Sequence, residues 1–214
     1  MKENKNRSLG RPRSSEQKQP TNQIILKAAT ELFLSNGYQE VSVDDVAKKA
    51  DVTKATVYYY YASKADLFTE TMVQMMVRIR EHMQGILFNK KAPLRTRLQQ
   101  VAEAHLRATV EIDMESFMRE TKNALSDQQV KKVQEAEEKM YETLEQTFED
   151  AMNDGEISKI NTRFAAHSYI ALMKVGNYRD SENKAIFSTI EETAEQLTEF
   201  FWNGLIMVSC TSGE

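Results

Sequence analysis

The sequence has little of what staples or bends a chain. Of 214 residues, one is cysteine, three are proline and seven are glycine. A lone Cys210 cannot close an internal disulfide, so no disulfide framework is expected and a reducing cytoplasm is the expected setting. So few glycines and prolines exclude a loop-rich enzyme scaffold and a low-complexity linker protein. No uncharged apolar run approaches the ~18 residues of a membrane helix, and the basic N-terminus lacks the apolar segment of a secretory signal. Motifs of catalysis are missing too: there is no Gly-rich phosphate loop, nucleophile elbow or HExxH. His82, His105 and His167 show no metal-ligand spacing, so neither enzyme, metal nor cofactor is expected. What the chain does have is Ala, Leu, Glu, Lys, Met and Gln in long stretches, the composition of helices. At this length roughly 70% of the unfolded surface can be buried, enough for one medium domain or two small ones.

A net charge of -4 hides an asymmetry. Residues 1–64 hold 11 Lys/Arg against 7 Asp/Glu, whereas the remaining 150 hold 17 against 25. The first thirteen residues carry Lys2, Lys5, Arg7, Arg11 and Arg13 against only Glu3. A basic front on an acidic body fits a polyanion partner at one end; it equally fits a solubilising tail.

Residues 1–20 are polar and read as a flexible arm. The pattern then changes abruptly. Ile24, Ile25, Ala28, Ala29, Leu32 and Phe33 mark one face of a helix over about 21–36, with Thr21 as N-cap and Gly37 just past the end. Ser42 with Asp45 reads as a capping box before a short helix, and Thr53 caps another carrying Val57 and Tyr61. Ser63 with Asp66 opens a long helix through Met72, Met75, Met76 and Met83. Further helices are expected from Pro93 to Ile112, Met114 to Leu125, Asp127 to Met152, Asn161 to Gly176, and about Glu182 to Val208. The fold class is all-α, with about nine helices and no strand.

Two short helices joined by a tight turn, the second bearing exposed polar and aromatic groups, describe a helix-turn-helix. Such a unit needs a small residue where the helices cross, which Ala47 supplies. Its turn needs a residue tolerant of positive φ, where Asp51 stands, and apolar plugs, which Val52 and Val57 provide.

Residues 42–68, SVDDVAKKADVTKATVYYYYASKADLF, resemble the TetR family of bacterial transcriptional regulators. The match also includes the Ala-Ala-x-x-Leu-Phe helix ending in Gly-Tyr, and the Gly-Arg-Pro-Arg of residues 10–13 resembles arms of that family. Asp51, where the family often has Gly, and Tyr60 and Tyr61, where it often has His and Phe, are departures. The resemblance implies a ligand-responsive regulator, of repressor type, that binds a double-stranded palindromic operator as a homodimer. The implied organisation is a basic arm over 1–18, a DNA-binding domain over 19–79 with its motif near 42–61, and a helical effector-binding and dimerisation domain over 80–214.

Chemistry at the matched positions gives the roles. Lys54 suits guanine O6 or N7, Ala55 a thymine methyl, and the Thr56 hydroxyl a base edge or phosphate. By resemblance, Tyr58 and Tyr59 reach the sugar-phosphate edge, and Ser42 and Lys64 bind phosphates at helix N-termini. Thr53 caps the recognition helix at the same surface, and Arg11 and Arg13 suit an adjacent minor groove. Bland readings stand beside these: Ser42 and Thr53 are caps, lysines are often merely solvated, and four consecutive tyrosines must put at least Tyr61 in the core.

In the body, an effector pocket for an apolar or amphipathic compound is expected around Met72, Met76, His105, Phe117, Tyr141, Tyr169 and Met173. Plain core packing explains the same residues. The last two helices are apolar on more than one face, at Ile170–Met173 and Phe200–Ile206, and the resemblance implies dimerisation through them. Two rival classes remain: an enzyme using the helical body, and a helical adaptor whose front end binds protein.

Overall fold

The computed structural model describes residues 20–109 and 124–207. Arg11, Arg13, Phe117 and Cys210 lie outside them, as does the helix expected from Met114 to Leu125 except for Ala124 and Leu125, which form a turn. The described residues form eight α-helices, with one isolated antiparallel bridge between Arg179 and Ala185. Among them, no helix is long and apolar enough to cross a membrane.

The first helix, α1 (Thr21–Glu40), starts differently from expectation. Its N-cap is Pro20, which gives no side-chain cap, and Thr21 is the first helical residue. Proline's fixed φ presets the entry, and its carbonyl accepts the N–H groups of Gln23 and Ile24 at 2.9 and 3.2 Å. Gly37 ends the regular part at φ 79°, ψ 166°, and Tyr38 to Glu40 form a last separate turn.

Then come α2 (Val43–Lys49), α3 (Lys54–Tyr60) and α4 (Lys64–Leu87), capped by Ser42, Thr53 and Ser63 in turn. The body consists of α5 (Leu94–Thr109), α6 (Asp127–Asn153), α7 (Thr162–Gly176) and α8 (Ile190–Phe201). A capping box of Ser126 and Gln129 opens α6. The last helix begins eight residues later than Glu182, where it was expected. There the Asp180 carboxylate accepts the N–H groups of Glu182 and Lys184, Asn183 takes φ 62°, and Thr189 supplies the cap. That local turn chemistry outcompetes the helix, and Ile186 is left exposed. A π-helical turn, Trp202–Met207, follows α8.

Two cores form. The front core gathers Ile25, Ala29, Phe33, Tyr38, Val46, Val57, Leu67 and Phe68, with Val133, Ala136 and Met140 of α6 closing it. Phe68 stands edge-on to both Phe33 and Tyr38, with ring centroids 5.1 and 5.0 Å apart. Burying each phenylalanine contributes about 2–3 kcal/mol before entropy is counted. The body core runs from Met83 and Leu87 through Leu98, Leu144, Phe148, Tyr169, Met173 and Phe201. Ile79 of α4 packs against both, so α4 is one rod shared by two cores.

Candidate nucleic-acid interface

The turn between α2 and α3 sets the angle of the second helix. Asp51 takes φ 53°, its N–H donates to Lys48 O at 3.2 Å, and the Val52 N–H donates to Ala47 O at 3.0 Å. This double hydrogen bond is a Schellman closure with Asp in the left-handed position usually held by Gly. Ala47 and Ala50 are buried at the crossing. Val57, 1% exposed, braces α3 from behind, and half-buried Val52 packs against the same core.

With Val57 inward, Lys54, Ala55, Tyr58 and Tyr59 share the outward face, being spaced one, three and one apart. Tyr59 is 82% exposed and Tyr58 45%. Tyr60, the last helical residue, is half-exposed, and Tyr61, the extended residue that caps the helix, is buried. Thr53 accepts the Thr56 N–H at 3.1 Å, and their hydroxyls bond at 2.8 Å, tightening the first turn.

The lysines are already engaged. Lys54 Nζ donates to Asp44 Oδ2 at 2.5 Å, an ion pair between α3 and α2 that holds the lysine's pKa above its ordinary value. Lys64 Nζ donates to the Gln39 carbonyl at 3.0 Å and stands 4.5 Å above the Tyr38 ring; burial pulls its pKa below the ordinary value. Ser42 is tied to Asp45, accepting the Asp45 N–H while its own hydroxyl and N–H donate to the carboxylate. Those bonds hold the Asp45 carboxyl below its usual range. Sequence reasoning missed Asp44 and Tyr38 as the lysines' partners. Asp44 precedes Lys54 by ten residues, so only the crossing of the two helices brings them together.

The residues expected to form an effector pocket are not gathered in one place. Met72 and Met76 lie in the front core; Tyr169 and Met173 lie in the body core, where the Tyr169 hydroxyl donates to Leu98 O at 2.5 Å. Tyr141 stacks on His167 with centroids 4.1 Å apart. His105 is largely buried, which, with Lys174 nearby, lowers its pKa. A small cleft of about 60 Å³ lies beside Leu87, Arg97 and Thr147, and a groove of about 580 Å³ lies between α1, α4 and α6. None of the predicted pocket residues lines either. Among the described residues, no cluster of three His, Cys, Asp or Glu side chains could hold a metal ion.

Comparison with known proteins agrees with this geometry. The chain is 34% identical over 93 residues to the fatty acid metabolism regulator protein of Bacillus subtilis, covering 42% of this chain and 45% of that protein. It is 34% identical over 74 residues to the HTH-type transcriptional regulator UidR of Escherichia coli, covering 33% of this chain and 38% of that one. The chain therefore spans less than half the length of these curated relatives. In three dimensions it is similar to the Bacillus subtilis transcriptional regulator FadR in complex with stearoyl-CoA, with a TM-score of 0.69 at 20% identity over 86% of this chain and 98% of that one. Salmonella enterica GusR gives a TM-score of 0.67 at 20% identity, over 89% and 97%. At such identities the likeness shows the shared fold. The family described as bacterial regulatory proteins, tetR family, matches residues 25–71, the span from α1 into α4 that holds the helix-turn-helix.

Proposed function

We propose that this chain is a ligand-responsive transcriptional regulator that binds a palindromic operator as a homodimer, represses, and is released by a small molecule. The observation that carries this reading is the outward face of α3, where Ala55, Tyr58 and Tyr59 stand exposed beside Lys54 while Val57 braces the rod. The N-terminal part of such a helix enters the major groove. Lys54 leaves Asp44 to donate to guanine, Ala55 meets a thymine methyl, and Thr56 reaches a base edge or phosphate. Tyr58 and Tyr59 lie along the sugar-phosphate edge, and Ser42 and Lys64 meet phosphates at the starts of α2 and α4. Arg11 and Arg13 enter the neighbouring minor groove.

The exposed Phe164 and Val175 of α7 and Phe200 of α8 support a two-fold contact through these helices. Such a pair would space its recognition helices by about 34–36 Å or a multiple. The effector is apolar or amphipathic. Because the FadR of similar fold binds stearoyl-CoA, a long-chain acyl thioester is the first compound to test. Since α4 starts at the DNA-facing Ser63–Lys64 and runs through both cores, a ligand that favours one placement of α4 changes operator affinity.

Selection of bound genomic fragments followed by gel shifts tests the reading. Sequence-selective, strongly salt-dependent retention is expected; weak, indiscriminate retention overturns it. Lys54→Ala relaxes discrimination at one base position, whereas Lys64→Ala weakens all sequences alike and flattens the salt slope.

A further inference from the structure

The groove of about 580 Å³ lies where α1, the α3–α4 corner and α6 meet, away from the outward face of α3. Its volume falls within the range of small-molecule sites. Tyr60 and Tyr61 give it an aromatic wall, Asp66 and Glu70 come from the start of α4, and Gln129 and Lys132 come from α6. The two rings are tilted at 43° with centroids 6.3 Å apart, and Tyr60 is half-exposed.

Two groups on this wall face the groove with hydrogen-bonding capacity that no described protein group uses. Tyr61 is only 9% exposed, yet its hydroxyl makes no hydrogen bond among the described residues while the side chain lines the groove. Glu70 accepts the Gln74 amide on Oε1 at 3.1 Å, and its other oxygen accepts nothing among the described residues. Asp66, by contrast, is occupied by Ser63 and by Gln129, whose amide donates at 2.8 Å. Burial first, then the Glu70 charge, pushes the Tyr61 phenol up to about 12, so at neutral pH it stays an intact hydroxyl in a negative field.

We infer that this groove binds a small organic ammonium ion of the alkyl polyamine type. Glu70 accepts an ammonium N–H, the Tyr60 ring faces the cation, and the Tyr61 hydroxyl accepts a second N–H. An anion would have to lie against two carboxylates. Lys132, exposed on α6, repels a cation at its own end and so sets the ammonium against the α3–α4 wall. The occupant touches the front unit and α6 at once. This site does not depend on the DNA-binding reading, and its test contains no DNA.

Isothermal titration of the full chain with spermidine at low ionic strength is expected to give saturable one-to-one binding. Glu70→Gln weakens it by about tenfold or more, and Tyr61→Phe by about threefold, without loss of thermal stability. Glu149→Gln, which removes the same charge from an exposed site near the far end of α6, leaves the affinity unchanged. Absence of saturation up to millimolar spermidine overturns the inference. So does an equal loss with Glu149→Gln, which would mean diffuse attraction to an acidic chain.

Discussion

In the front unit, three of the four helix starts are tied by a side chain to a backbone N–H three residues on: Ser42 to Asp45, Thr53 to Thr56, and Ser63 to Asp66. The body has such caps too, but it is also closed by ties between residues about 60 positions apart. Buried Arg97 donates to Leu87 O at 2.5 Å, to Ala92 O at 3.0 Å and to Glu156 Oε2 at 2.9 Å. Glu156, brought from beyond the end of α6, also accepts the Leu94 N–H at the start of α5. Gly176, the last residue of α7, sits where α5 and α8 press closest. Short-range chemistry positions the outward helix, whereas long-range chemistry sets the shape of the body. A change in one half is therefore expected to act differently from a change in the other.

Arg97→Ala should have the largest effect. It strands the partly buried Glu156 carboxylate and two carbonyls, and a loss of about 3–5 kcal/mol in urea denaturation is expected. If the loss is below about 1 kcal/mol, the body is not held by this tie and the contrast fails. Gly176→Ala comes next. Its methyl would lie 2.7 Å from Leu106 Cδ2, 2.9 Å from Leu197 Cδ1 and 3.2 Å from Thr193 Cγ2, so all three must give way. A loss of about 1–3 kcal/mol is expected, again by denaturation. The smallest effect belongs to the front unit. Asp51→Gly relieves a left-handed Asp but adds freedom to the unfolded chain, and a net gain of up to about 1 kcal/mol is expected. A clear loss would mean that the Asp51 side chain contributes more than its backbone conformation costs.

The contrast also explains what could be read from the sequence. Asp51's positive φ was legible because the spacing from the Ser42 box to the Thr53 cap leaves room for only one kind of turn. The burial of Tyr61 was legible but not its cause: helix periodicity through four tyrosines predicts it, whereas α3 ends at Tyr60 and Tyr61 is buried as its extended cap residue. Gly176 read only as a helix end, since nothing local tells a terminating glycine from one required by neighbours 70 residues before it and 21 after. The methionines of α4 recur at a helical period whether they fill a core or line a cavity, so the period alone could not place Met72 and Met76, which are buried in the front core. The apolar period of the last helix extends back to Ile186 and predicts too early a start, while the Asp180 turn that precedes the helix depends on a single carboxylate. Phe200 and Phe201 looked alike in sequence, yet one is 69% exposed and the other 2%, because adjacent helical positions differ by about 100°.

The pairing of Lys54 with Asp44 has a consequence for how the molecule would respond to electrolyte. A lysine that carries its own internal counter-charge is not a free cation waiting for a polyanion. To reach a duplex it must abandon that carboxylate, which then gathers sodium or potassium from solution while the duplex sheds its own condensed ions. The net count of ions set free per complex would fall short of the number of basic side chains at the contact. Asp44→Asn would restore the missing ion, steepening the dependence on added salt and loosening the preference for guanine over its neighbours.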